Sequence, residues 1–128
     1  MTDVYATLGA SDAAATATFY DAVLATIGWA VRDDFPGWRS YSKNGGPDGF
    51  TLWLCTPFDG AAPSTGNGTM IGFPAATQSV VDAFHAAALA HGGTDEGAPG
   101  PRAHYGPDWY SAYVRDPSGN KLAIVFNG

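Results

Sequence analysis

Apolar residues recur at helical spacing in two segments of the chain. In the first, Phe19, Val23 and Ile27 lie four residues apart, which predicts an amphipathic helix over Ser11–Ile27. The second segment predicts a helix over Thr77–His91, and Gly92-Gly93 follows it as a stop signal. The inward-facing positions of this second helix are Val80, Val81, Phe84, Ala87 and Ala88.

Short apolar or alternating runs surround these helices and predict strands, because turn residues separate one run from the next. The predicted strands are Val4–Gly9, Trp29–Phe35, Trp38–Ser42, Phe50–Thr56, Thr69–Phe73, Trp109–Arg115 and Lys121–Phe126. The two longest gaps, Pro57–Gly68 and Glu96–Pro107, are rich in glycine and proline. Both are predicted to be surface loops.

The order of predicted elements suggests one unit written twice. An offset of 65 residues places Phe19 on Phe84 and Gly28 on Gly93. In the closing strands an offset of 70 residues places Gly49 on Gly119, so the second copy carries about five more residues. The sequence therefore predicts an α+β fold with two βαβββ modules, about residues 1–66 and 67–128, within a single domain.

Composition narrows the possible partners. The chain has 128 residues, 45% of them hydrophobic, which indicates a folded protein with a core. Six basic and twelve acidic residues give a net charge of −6, so neither nucleic acid nor an anionic membrane surface is an expected partner. No apolar run is long enough to span a bilayer, and no signal peptide is recognisable. The single cysteine, Cys55, makes the reducing cytoplasm the expected location.

Four motifs in the chain resemble a known family. The most specific is Val114–Leu122, in which a strand runs into the turn Asp-Pro-Ser-Gly-Asn and then into another strand; the others are Thr7–Asp12, Phe19–Leu24 and Val81–His85. Pro117 and Gly119 suit such a turn, and the Asp116 carboxylate can accept its N–H groups. Together the motifs resemble the vicinal oxygen chelate superfamily, which includes glyoxalase I, bleomycin resistance proteins and extradiol dioxygenases. The resemblance implies two sheets curling around a central cavity, and a homodimer.

Members of that superfamily usually hold a divalent metal ion through His, Glu or Gln side chains, one from each of four strands. The resemblance places these positions at Tyr5, Trp53, Met70 and Ala123. A phenol and a thioether are poor ligands for a hard cation, and the other two side chains offer no ligand atom. Because the positions that the resemblance assigns to metal ligands carry unsuitable side chains, this chain is expected to have no metal cofactor. The alternative is a divalent metal ion held by other residues, such as His104 with Asp108.

Strand parity predicts what lines the cavity instead. Side chains that point away from the helices are expected to be Tyr5, Thr7, Trp53, Cys55, Met70, Gly72, Ser111, Tyr113, Lys121 and Ala123. Such an aromatic, sparsely polar lining suits a flat or apolar small molecule. Tyr5 and Trp53 are expected either to stack on a ligand or to plug the cavity. Met70 is expected to fill a gap in the core, with ligand contact as the alternative.

The histidines have different expected roles. His104 and Tyr105 lie in a Gly/Pro loop that enters a strand beside the cavity, so His104 is the candidate for proton transfer and both are candidates for ligand contact. The alternative for His104 is a plain surface position. His85 and His91 lie off the apolar stripe of their helix and are expected to be exposed. Cys55 is expected to be a small buried thiol.

These features support three functional hypotheses. The first is a metal-free small-molecule-binding protein with an aromatic-lined cavity, by analogy with the bleomycin-binding proteins; the acidic net charge slightly favours a cationic ligand. The second is a metal-dependent lyase or dioxygenase of the same superfamily that uses non-standard ligands. The third is a degenerate domain that serves only as a dimer partner.

Overall fold

The computed structural model describes residues 3–128 and contains the βαβββ unit twice. The first module consists of β1 (Tyr5–Gly9), α1 (Ala13–Ala25), β2 (Trp29–Phe35), β3 (Trp38–Lys43) and β4 (Thr51–Cys55). The second consists of β5 (Ile71–Pro74), α2 (Gln78–Ala90), β6 (Thr94–Pro101), β7 (Trp109–Arg115) and β8 (Lys121–Asn127). The predicted α+β class and the duplicated unit are confirmed.

Both helices begin at a side-chain cap. The Asp12 carboxylate accepts the Ala15 amide at 3.0 Å, and the Thr77 hydroxyl accepts the Val80 amide at 3.3 Å. Since a cap residue lies outside the helix whose free N–H groups it satisfies, each helix is shorter than the predicted apolar period. Within residues 3–128, neither helix has the length and apolar character that a membrane span requires.

Each module forms its own four-stranded sheet. Sheet A has the strand order β1-β4-β3-β2 and sheet B the order β5-β8-β7-β6, with the first pair of each sheet parallel and the others antiparallel. Helices α1 and α2 contact each other, and the buried apolar side chains of both modules form one continuous cluster. Its largest members are the aromatic side chains of Phe19, Tyr20, Tyr41, Phe73 and Phe84.

The predicted loop Glu96–Pro107 is wrong over its first part, because strand β6 extends to Pro101. As the edge of sheet B, β6 pairs only with β7, and an edge strand tolerates proline and glycine better than a central one. Its register with β7 shifts twice, on either side of Gly97. The glycines and the irregular register hide the alternation that would have marked a strand.

The Asp116 turn joins the two modules. The Tyr20 hydroxyl donates to Asp116 Oδ2 at 2.6 Å, and the Asn120 side-chain amide donates to the Gly9 carbonyl at 2.8 Å. Asp116 Oδ1 also accepts the amides of Ser118 and Asn120, each at 2.9 Å, as the turn motif predicts. Burial, followed by the nearby Asp116 charge, raises the pKa of the Tyr20 hydroxyl well above 10.0. The turn therefore links the two modules through hydrogen bonds, in addition to connecting β7 to β8.

The expected exposure of His85 is wrong, whereas that of His91 is confirmed. His85 is 9% exposed, and its Nε2 lies 2.8 Å from Asp95 Oδ1. Asp95 belongs to β6, so the strand that the sequence did not reveal also supplies the partner of this histidine. The pairing lowers the pKa of Asp95, with the His85 hydrogen bond as the main cause.

Candidate functional site

Strand register divides sheet A into two faces. In the parallel pair of β1 and β4, Thr7 lies opposite Trp53 and Leu8 opposite Leu54. Leu8 and Leu54 are buried in the core, so Tyr5, Thr7 and Trp53 point away from the helices, as strand parity predicts. We call this side of the sheet face A.

Face A carries a group of aromatic side chains around Trp53. The Phe35 ring is nearly parallel to the Trp53 ring, with centroids 6.5 Å apart and planes at 15°. The Trp38 ring meets Trp53 edge-on at 6.0 Å. Phe35 and Tyr5 are 57% and 60% exposed. Large exposed aromatic surfaces on one sheet face favour contact with a flat ligand, because such contact removes apolar area from water.

A recess of about 380 Å³ lies against this aromatic group. Its lining residues are Tyr5, Thr7, Arg32, Asp33, Trp38, Thr51 and Trp53. Arg32 donates to the Thr51 hydroxyl at 3.1 Å and lies 3.7 Å from the Asp33 carboxylate. The recess therefore has an aromatic wall and a polar border whose charges are paired.

Sheet B has a corresponding open side, which we call face B. Gly72 lies opposite Ala123, and Ala123 lies opposite Tyr113 on the other flanking strand. Ala123 and Ser111 are buried on this face, Tyr113 is partly exposed, and Met70, which directly precedes β5, is 46% exposed. The expectation that Met70 fills a gap in the core is wrong, since nearly half of its surface is accessible.

Polar and cationic groups surround Tyr113. The Trp109 indole N–H donates to Ser111 Oγ at 3.1 Å, and Ser111 Oγ donates to Tyr113 Oη at 3.2 Å. Arg102 Cζ lies 5.8 Å and Lys121 Nζ 5.6 Å from the centre of the Tyr113 ring. Beside this group is a second recess of about 520 Å³, lined by residues 65–70, Arg115 and Lys121.

The remaining candidates occupy other places. His104 and Tyr105 are exposed, and their rings are in contact with centroids 4.0 Å apart. Tyr105 also contacts Trp109 at 5.4 Å, but neither loop residue lines the two recesses described above. Cys55 is 6% exposed, as expected, and burial raises the pKa of its thiol.

The positions at which the resemblance implies metal ligands do not fit a divalent cation. Trp53 and Ala123 present no oxygen or imidazole, Met70 presents only a thioether, and the Tyr5 phenol is 60% exposed on face A. Nor do three or more His, Cys, Asp or Glu side chains come together anywhere in residues 3–128. Tyr5, Trp53 and Met70 have surface available for contact with an organic molecule, whereas Ala123 is 1% exposed.

Sequence reasoning missed several residues that shape these faces. Phe35 and Trp38 are paired across the β2–β3 hairpin and extend the aromatic group of face A. The alternation of Trp38 with the buried Ser40 was a usable signal, because both share the parity of Trp53. Arg102 has no such signal, since it follows a strand whose glycine- and proline-rich composition predicts a loop.

Comparison with known proteins agrees with the fold and the motifs. Residues 4–124 match the model of the Glyoxalase/Bleomycin resistance protein/Dioxygenase superfamily. A glyoxalase/bleomycin resistance protein from Albidiferax ferrireducens T118 is 35% identical, with 97% of each chain covered and a TM-score of 0.84. A glyoxalase-related enzyme from Fulvimarina pelagi is 25% identical over 98% of this chain and 88% of the other, with a TM-score of 0.75.

A lactoylglutathione lyase from Agrobacterium tumefaciens shares the fold at 21% identity, covering 98% of this chain and 92% of its own, with a TM-score of 0.65. Among curated proteins, none matches the sequence significantly. The similarity therefore reaches the family and the fold.

Proposed function

The chain belongs to the glyoxalase/bleomycin resistance protein/dioxygenase superfamily, and from that premise we propose that it is a metal-free protein that binds a small aromatic molecule. Family membership alone does not fix the chemistry, because function depends on the site and not on the fold. The proposal therefore depends on the side chains that occupy the open faces of the two sheets.

The aromatic group of face A carries the proposal. Trp53 is flanked by the rings of Phe35 and Trp38, and Tyr5 lies in the same recess with 60% of its surface exposed. Offset stacking on such rings contributes about 0.5–1.5 kcal/mol beyond the burial of apolar area. A planar ligand placed against Trp53 gains this contact without any coordination bond.

A homodimer is part of the proposal, because in one chain face A and face B belong to different sheets. Strands β1 and β5 are edge strands, and both Val4 beside β1 and Met70 beside β5 are exposed, by 73% and 46%. Unpaired strand edges with exposed apolar side chains favour association with another chain. A second copy that brings its face B over face A would enclose the ligand between the two sheets.

The oligomeric state is measured by light scattering coupled to gel filtration. The expected mass is about twice the 13.3 kDa of one chain. Met70→Lys places a charge at the proposed contact and should shift the protein toward the monomer. A wild-type protein that remains monomeric at all concentrations would contradict the dimer.

Binding is tested with 2-naphthamide, a flat neutral molecule, by isothermal titration calorimetry. Trp53→Leu should weaken binding by about two- to twelve-fold, which corresponds to the loss of one stacking contact. Trp29→Leu is the matched control, because Trp29 packs edge-on against Phe73 and its ring is absent from the recess of face A. Equal losses in the two variants, or no binding to the wild type, would contradict the proposed site.

The absence of a metal cofactor is tested by elemental analysis of protein purified without chelators. We expect far less than one divalent ion per chain, because the four positions lack the carboxylate and imidazole ligands that such cations prefer. A content of about one divalent ion per chain would favour the metal-dependent lyase or dioxygenase, if His104→Ala removes both the ion and any lyase or dioxygenase activity.

The proposed location is the cytoplasm. A reducing compartment suits a chain whose only cysteine, Cys55, is buried and has no second cysteine to pair with.

A further inference from the structure

We propose that the bound molecule carries an oxyanion, a carboxylate or phosphoryl group, which Lys121 and Arg102 bind beside Tyr113 on face B. This inference rests on the proposed function, because it specifies the ligand of the same site. It assigns a polar end of the ligand to face B, while the planar part stacks against the aromatic group of face A.

The first argument is the distribution of charge partners. The chain has twice as many acidic as basic residues, so most cations are expected to find a carboxylate. Within residues 3–128 the arginine ion pairs involve Arg32, Arg39 and Arg115. Three cations, Lys43, Arg102 and Lys121, have no carboxylate within 4.0 Å in the same part of the chain. Two of these three, Arg102 and Lys121, flank one aromatic ring.

The second argument is how Arg102 is held. Its Nη1 donates to the Gly100 carbonyl and its Nη2 to the Ala98 carbonyl, each at 2.8 Å. Neutral carbonyls fix the guanidinium in place without cancelling its charge. A Cβ at Gly100 would lie 3.1 Å from Arg102 Nη1, tighter than an ordinary contact. The bare backbone of β6 thus allows the guanidinium to lie against the strand.

The ring of Tyr113 depends on the same strand. A Cβ at Gly97 would lie 3.0 Å from Tyr113 Cδ2 and 3.4 Å from Arg102 Nη2. Both glycines of β6 therefore leave room for the two side chains that build the site. This explains why a strand carries a composition that looks like a loop.

The third argument is the direction of the hydrogen bonds that end at Tyr113. The Trp109 indole can only donate, and it donates to Ser111 Oγ. Ser111 in turn donates to Tyr113 Oη, which leaves the phenolic hydrogen of Tyr113 for another acceptor. A ligand oxyanion is such an acceptor, and charge-assisted bonds of this kind are stronger than neutral ones. Face B therefore carries an ammonium, a guanidinium and a phenolic donor around the Tyr113 ring.

The net charge of −6 does not oppose this assignment. Screening in physiological salt confines interactions between exposed charges to about 8 Å. The local cations therefore decide which ligand is bound, and the acidic surface has only a weak steering effect. The preference is opposite to the cationic ligand that the net charge alone favours.

The test compares four naphthalene probes that differ in one substituent. They are 2-naphthoate, 2-naphthyl phosphate, neutral 2-naphthamide and cationic 2-naphthylmethylamine, each measured by isothermal titration calorimetry at pH 7. We expect at least one of the two anions to bind about tenfold or more tightly than the amide, as a hydrogen bond to a charged group requires. The better of the two anions identifies the carboxylate or the phosphoryl group as the natural fit.

Variants locate the preference on face B. Lys121→Met and Tyr113→Phe should each reduce anion binding severalfold and reduce amide binding much less, because the amide carries no charge. Lys43→Met is the matched control, since Lys43 is an exposed lysine at the end of β3. If Lys121→Met does not fold, Lys121→Gln replaces it. The circular dichroism melt of each variant shows whether it is folded.

The outcomes separate this inference from the proposed function. Equal affinity for anion and amide, a preference for the amine, or an anion preference that survives both face B variants overturns the oxyanion site while leaving aromatic binding intact. Failure of all four probes to bind contradicts the proposed function, and the oxyanion site falls with it. A preference that is lost only in the face B variants supports both.

Discussion

Replacing Tyr20 by phenylalanine should destabilise the protein by about 2 kcal/mol, because hydrogen bonds to charged groups contribute about 1.5–3 kcal/mol. The substitution removes the 2.6 Å bond to Asp116, a carboxylate that is only 4% exposed. It leaves the ring in place, so packing in the core is unchanged. In a domain of this size the loss corresponds to roughly 6–10 °C in Tm.

Urea unfolding at pH 7, followed by circular dichroism, measures the change in the free energy of unfolding. Tyr110→Phe is the matched control, since it removes a 2.7 Å bond to Asp82 that is exposed to solvent. We expect that control to cost about 0.5 kcal/mol or less, as solvent replaces an exposed partner at little cost. Equal losses in the two variants would refute the reasoning that the buried carboxylate depends on Tyr20.

The same bond has a predictable pH dependence. Burial raises the pKa of Tyr20 well above its ordinary value of 10.0. A group whose pKa is raised on folding contributes its stability fully below the unfolded value and loses it as the pH rises through the folded value. The difference between wild type and Tyr20→Phe should therefore be constant up to about pH 9 and shrink only above pH 10.

Three further outcomes are expected. Gly93→Ala should destabilise the protein by about 1–3 kcal/mol in urea unfolding, because its Cβ would lie 2.6–2.8 Å from three atoms, whereas Gly72→Ala, with its nearest neighbour at 4.0 Å, should be nearly neutral. Asp95 has a lowered pKa, so the stability that its carboxylate contributes is present above pH 3.8 and is lost as the pH falls through the folded value. Asp95→Asn should therefore make the free energy of unfolding less dependent on pH on the acid side. An unchanged acid limb would contradict the stabilising hydrogen bond between Asp95 and His85. Native Cys55 should react with iodoacetamide at pH 8 far more slowly than the urea-unfolded chain, because burial shields the thiol and raises its pKa; comparable rates would contradict that burial.

Most of the fold could be predicted because its signals are local. The apolar period in α1 and the short apolar run in β4 are signals of helix and strand that neighbouring residues carry, and the duplicated order of elements needs only the chain itself. The parity of Trp53 and Ala123 is also local, since side chains alternate along any regular strand. These features could be deduced without knowing which elements meet.

The parts that were missed depend on contacts distant in sequence. Strand β6 consists of residues that look like a loop, and it is a strand because β7 pairs with it. His85 lies on α2 where the helix packs against β6, and its partner Asp95 belongs to that strand; Arg102 reaches Tyr113 only across the same strand. Met70 illustrates the opposite error, because an apolar side chain beside an edge strand can remain exposed at the border of the sheet.

The shared core and the hydrogen bonds of the Asp116 turn have a consequence for the cooperativity of unfolding. The cluster of buried side chains is continuous across the repeat, and Tyr20 and Gly9 of one half hold the turn of the other. Unfolding of either module therefore exposes apolar surface of the other and leaves its buried polar groups without hydrogen-bond partners. Although the chain contains the same unit twice, the two modules are expected to unfold together, in one calorimetric transition rather than two.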